Sequence, residues 1–285
     1  MVMKKMISML ICFLLVGCQV SNPEKGSKKA FQFINEKGMT LSTRFRTPEG
    51  YKRKKSALGD FLADYPLKKS GSPVLLYNGK RRLNQGGHVA VFKLPIEKYD
   101  LQQCADSVMR VYIEYYWHTN QKDKIAFHFV DGFLCDYNHW KEGYRVRFNN
   151  NKSTWVKSAS YDDSYSNLKK YMRVLFAYAS TLSLKEESQP TTLSDLKVGD
   201  IFIKAGSPGH VVMVVDVCEK NGKKAFLLAQ GFMPAQEFHV INNPAHLDDP
   251  WYYEDEVTYP FRTAEYTFSE GSLKRLSYLS WTESD

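Results

Sequence analysis

After its first 16 residues the chain has no apolar run approaching the roughly 20 residues that a membrane-spanning helix needs. A transmembrane architecture is therefore not expected beyond that point. The sequence contains no low-complexity segment and no internal repeat, which leaves its composition free to build a substantial packed core. It also lacks a basic stripe with a recognition motif. Lys and Arg number 39 against 31 Asp and Glu, a formal charge of +8, but the basic residues are scattered and matched by acids. That pattern describes a solvated surface attractive to anionic polymers, not a nucleic-acid footprint. None of His118, His128, His139 and His246 has the spacing to a second ligand that a zinc site requires, and no metal or cofactor is expected.

Hydrophobicity is concentrated at the start. Lys4 and Lys5 precede an almost wholly apolar stretch over 6–16, which closes on Leu15, Val16, Gly17 and Cys18. A charged region, an apolar region and a small-residue processing site in that order form a signal peptide, here 1–18. The Gly-Cys junction reads as a lipobox, with Cys18 lipidated and Lys4 and Lys5 lost, lowering the formal charge from +8 to +6. Cys12 follows the bulky Ile11 and is no rival processing site. An acyl chain supplies membrane affinity at about 0.8 kcal/mol per buried methylene without any spanning helix. The expected location is the cell envelope, in a leaflet the sequence does not specify. Residues 19–30 are polar and read as a flexible tether, and 31–285 as a single α+β domain of about 255 residues.

Cysteine is scarce, five in 285 residues. With Cys12 removed and Cys18 acylated, Cys104, Cys135 and Cys218 remain, an odd number that leaves at least one thiol unpaired within the chain. Whether Cys135 pairs with Cys218 is open. An unpaired thiol is either a small buried hydrophobe or a nucleophile.

The periodicity predicts a helix over 101–117, with Asp100 as N-cap and Leu101, Ala105, Val108, Val111, Tyr112 and Tyr115 on one face. A second helix is predicted over 163–181. Short strands are expected over 73–77, 88–94 and 124–130. From Leu196 the chain changes to antiparallel strands over 200–204, 211–217, 225–230 and 237–241, with a last strand ending near Phe268. The aromatic, Asn-rich stretch between the two helices has no clear pattern.

A cysteine in the first turns of a helix, a histidine opening a following antiparallel strand and a polar residue on the next strand is the order of papain-like cysteine peptidases. Cys104, His210 and Gln230 fill these places. The helix N-terminus favours the thiolate, imidazole completes the activation, and the third residue orients the ring. Gln236 and His239 are alternative orienters, and Gln102 or Gln103 could donate to an oxyanion. His88, after Gly86-Gly87, reads as a turn-end histidine bonded to backbone.

The run Gly199-Asp200-Ile201-Phe202-Ile203 followed by Ser207-Pro208-Gly209-His210 resembles the NlpC-type cell-wall peptidases, although Gln102-Gln103-Cys104-Ala105 departs from their Asp-Cys-Ser-Gly nucleophile. The resemblance implies a papain-like core, Cys104 as nucleophile, His210 as base and Gln230 as orienter. More widely, residues 31–268 resemble the domain-of-unknown-function 4846 family of bacterial lipoproteins, through Asp100-Leu-Gln-Gln-Cys-Ala-Asp106, Ser207-Pro-Gly-His210 and Ala229-Gln230 with Met233-Pro-Ala-Gln236. That likeness implies one unit and no particular activity. Together the expectations are an envelope-anchored cysteine hydrolase or amidase acting on peptidoglycan or a related glycopeptide, or else a non-catalytic lipoprotein binding such polymers.

Overall fold

A computed structural model of the chain describes residues 32–150 and 152–278, which fall within one unit, Gln32–Asp285. The expected signal peptide, Cys18 lipobox and tether lie outside the described residues. Among the described residues no helix is long and apolar enough to cross a membrane.

The fold is α+β, built on one antiparallel sheet of nine strands. In chain order these are β1 (Lys52–Arg53), β2 (His88–Val91), β3 (Ser188–Pro190), β4 (Ile201–Lys204), β5 (His210–Lys220), β6 (Lys223–Gln230), β7 (His239–Ile241), β8 (Tyr252–Tyr253) and β9 (Leu273–Leu276). The main path runs β2-β7-β6-β5-β4-β9-β3, with β1 added to β5 and β8 to β6. The centre is β5, where every residue from His210 to Cys218 is buried. A continuous run of Val and Met is what a strand covered on both faces requires. On one face lie α1 (Ala57–Ala63) and α2 (Cys104–His118). Aromatic rings serve the sheet elsewhere: Phe202 on β4 stacks on Phe226 of β6 and packs against Phe261 and Phe268.

Cys104 is the first helical residue of α2, three residues later than the expected N-cap at Asp100 implies. Residues 101–103 are spent in tight turns, in which Gln103 N–H bonds to Leu101 O, and Asp106 Oδ2 reaches back to accept from Gln103 N–H at 3.0 Å. Gln103 is therefore the N-cap. Asp100 accepts instead from the Ala235 backbone at 2.6 Å, tying the loop after β6 to the helix start.

The segment 163–181 is divided into α3 (Tyr165–Tyr178) and α4 (Thr181–Glu186), with Ser180 capping the latter. The strand expected over 124–130 is present as Ala126–His128 and forms a hairpin with Leu134–Asp136, while the stretch without a pattern holds a second hairpin, Tyr144–Asn149 with Lys152–Lys157. Residues 73–77 contribute only isolated bridges, at Leu75 and Leu76. The chain after Trp251 does not end as one strand near Phe268. It forms β8 and a two-stranded hairpin at 261–268, then re-enters the sheet as β9, where Arg275 clasps the fully buried Asp200 at 2.8 Å.

Candidate functional site

His210 opens β5 and Gln230 closes β6, so the antiparallel pairing of the two strands brings both to the same end of the sheet. Two glycines allow the crowding there. A Cβ on Gly209 would lie 2.4 Å from Gly206 O and 2.7 Å from Thr181 Oγ1, and one on Gly231 would lie 2.2 Å from Ser107 Oγ and 2.9 Å from Gln103 O. Glycine at 209 thus permits the turn that delivers His210, and glycine at 231 lets the end of β6 press against the first turn of α2.

His210 Nε2 is 2.8 Å from Gln230 Oε1. An amide oxygen only accepts, so Nε2 carries the proton and the lone pair lies on Nδ1. The ring is packed by Phe232 and Tyr266, at centroid distances of 4.6 and 4.8 Å. Cys104 stands beside this junction: backbone N–H groups of Ala105, Val211 and Cys104 itself act on its sulfur, and Val211 is the residue after His210.

Burial dominates the electrostatics. It pushes the Cys104 thiol up to about 11, Asp106 adding to the effect, while the surrounding N–H groups pull only partly the other way. It also pushes His210 down to about 4, against the hydrogen bond to Gln230 and the charge of Glu265. The helix N-terminus alone predicts a thiolate, but with Cys104 9 % and His210 2 % exposed, loss of hydration outweighs it. At rest the thiol and the imidazole are both neutral.

Gln103 Nε2 donates to Asp100 at 3.2 Å. Gln102 is fully buried, its Oε1 accepting from Arg110 at 3.3 Å while its Nε2 has no partner. Of the alternative orienters, Gln236 bridges by its backbone to Leu76, and His239, opposite Gln230 in the β6–β7 pairing, stands behind the amide with the two Nε2 atoms 3.4 Å apart. Cys135 and Cys218 are free and buried, not bridged. His88 bonds backbone, at 3.0 Å from Ser72 O. Trp140 and Trp251 are buried, so neither offers an open platform for a sugar. Among the described residues no group of three or more His, Cys, Asp or Glu is arranged to hold a metal.

Sequence reasoning missed Glu265, whose Oε2 accepts from Gln230 Nε2 at 2.5 Å, and Arg82, whose Nη1 lies 2.8 Å from the same oxygen. Each stands far from the motif in sequence, and no spacing points to either.

Residues 41–275 match the family described as domain of unknown function (4846), and the chain belongs to that family. No curated protein and no solved structure matches it.

Proposed function

We propose that this is an envelope-anchored lipoprotein with a papain-like core, acting as a cysteine hydrolase or amidase on an amide bond of peptidoglycan or a related glycopeptide. The observation that carries the proposal is the 2.8 Å contact between His210 Nε2 and Gln230 Oε1, which leaves Nδ1 basic in a ring adjoining the Val211 N–H that acts on the Cys104 sulfur. The envelope location rests on the lipobox at Cys18.

With both partners neutral at rest, proton transfer and attack belong to one event. Sγ of Cys104 bonds to the substrate carbonyl carbon while its proton passes to His210 Nδ1. The resulting oxyanion is met by N–H groups of the first turn of α2, which have no partner within the helix. As the C–N bond breaks, the amine leaves with the proton from His210. Water then attacks the thioester, giving its proton to His210, and the acid and the free thiol are released.

Burial of the thiol also favours a second reading, a non-catalytic lipoprotein of the same fold that binds envelope glycans or peptides. Incubation with purified cell-wall fragments separates the two. Hydrolysis by the wild type, lost in Cys104→Ala and His210→Ala, is the expected result. Hydrolysis retained by Cys104→Ala excludes the thiol mechanism, and muropeptide binding without turnover by the wild type decides for the binding protein.

A further inference from the structure

The Gln230 amide has two ends, and only one of them can set His210 correctly. With its oxygen toward the ring, Nε2 must donate and Nδ1 is the base. With its NH2 toward the ring, Nε2 must accept, and the proton moves to Nδ1, where a base is needed. The choice is made on the far side of the amide, away from His210.

There stands Glu265, in the 261–268 hairpin. A carboxylate only accepts hydrogen bonds, so the end of the Gln230 amide that lies 2.5 Å from Glu265 Oε2 is its NH2. Glu265 is itself held from three directions. Arg82 Nη1 donates to Oε2 at 2.8 Å, Asn84 Nδ2 donates to Oε1 at 2.8 Å, and Gly87 leaves room where a Cβ would come within 2.9 Å of the carboxyl group. His239 completes the enclosure. Its Nδ1 lies 2.8 Å from Glu237 O and therefore carries the proton, so its Nε2 is an acceptor, 3.3 Å from Arg82 Nη1. The neighbour of His210 on the other side is Tyr266, the residue after Glu265, at a centroid distance of 4.8 Å. One hairpin thus both covers the imidazole and anchors its orienter.

We propose that Glu265, clamped by Arg82 and Asn84, is a positioning residue for this site: it fixes which end of the Gln230 amide faces His210, and so which ring nitrogen is the base. The proposal rests on the reading of His210 as general base, but its primary observable is independent of turnover. Burial would raise the Glu265 carboxyl, but the polar groups facing it, the Arg82 guanidinium among them, balance its charge and hold it below its usual range. The anion is therefore present at neutral pH, as a device that must always accept requires.

The test is the histidine tautomer, read by nitrogen NMR of the 15N-histidine-labelled full chain at pH 7.5. In the wild type His210 is expected as the Nε2–H form and His239 as the opposite, Nδ1–H form. Glu265→Gln keeps the shape but can both donate and accept, so His210 is expected to populate both tautomers, with kcat on cell-wall fragments falling about tenfold and KM unchanged. His210 seen as Nδ1–H in the wild type overturns the proposal without any variant. So does a single Nε2–H form kept in both Glu265→Gln and the shortened Glu265→Asp. If wild-type protein hydrolyses nothing while the tautomers behave as described, the hydrolase reading fails and the positioning role stands.

Discussion

The neutrality of Cys104 at rest has a direct chemical signature. Burial holds the Cys104 thiol at about 11 and His210 at about 4. At pH 7 a thiol of that acidity is thiolate in about one molecule in ten thousand, and at pH 9 in about one in a hundred. Alkylation by iodoacetamide follows the thiolate, so the rate at Cys104 is expected to rise about a hundredfold from pH 7 to pH 9 and to keep rising past pH 10. The assay is a timed pulse of reagent followed by peptide mass mapping, which separates Cys104 from the other cysteines. Cys135 and Cys218, fully buried and pushed further up by burial, are expected to stay unlabelled throughout. A rate that levels off by pH 7 or 8 means a thiolate–imidazolium pair at rest, and the dominance of desolvation over the helix N-terminus is then refuted.

Two further predictions concern the same end of the sheet. Because His210 is lowered to about 4 in the folded state, the unfolded chain binds more protons between pH 6.5 and 4, and stability falls as pH drops through that window. His210→Leu is expected to remove about 3 kcal/mol of that acid loss, measured as the difference between wild-type and variant urea unfolding at pH 7 and pH 4; equal slopes in the two proteins contradict it. Gly231→Ala places a Cβ 2.2 Å from Ser107 Oγ and is expected to cost about 1–3 kcal/mol. Ser107→Ala in the same chain should recover part of that, since Ser107 Oγ is buried without a partner, whereas strictly additive effects in a double-mutant cycle would falsify the contact.

The parts of the fold legible in the sequence are those whose signal is local. The apolar spacing from Ala105 to Tyr115 announces α2, and the unbroken Val and Met after His210 announce a strand. The join of Gly209 to His210 was likewise visible. By contrast β9 carries Lys274 and Arg275 at its centre and has no alternation of its own. It is a strand because Leu273 and Lys274 pair with β4, a contact across some seventy residues that no window detects. The Tyr144–Asn149 hairpin is missed for a related reason: its residues are half-buried or exposed, so hydrophobic periodicity is weak, and its turn rests on Asn150 at a φ of 52°. At the site, Cys104, His210 and Gln230 stand out by residue type and order. Glu265 and Arg82 do not, because each is one charge among many and acquires meaning only when the 261–268 hairpin folds back over the sheet. The acidity of Cys104 is not legible in the sequence, because the helix N-terminus is visible there and burial is not.

The central claim is that Cys104 carries the acyl group of an amide substrate. Acid quenching of the wild-type protein during incubation with muropeptides, followed by mass measurement of the Cys104 peptide, tests it most directly. The account predicts an acyl adduct on Cys104 that accumulates in the wild type and is absent in His210→Ala. Turnover of the muropeptides with Cys104 unmodified at every time point, and unaffected by its replacement with alanine, would contradict it.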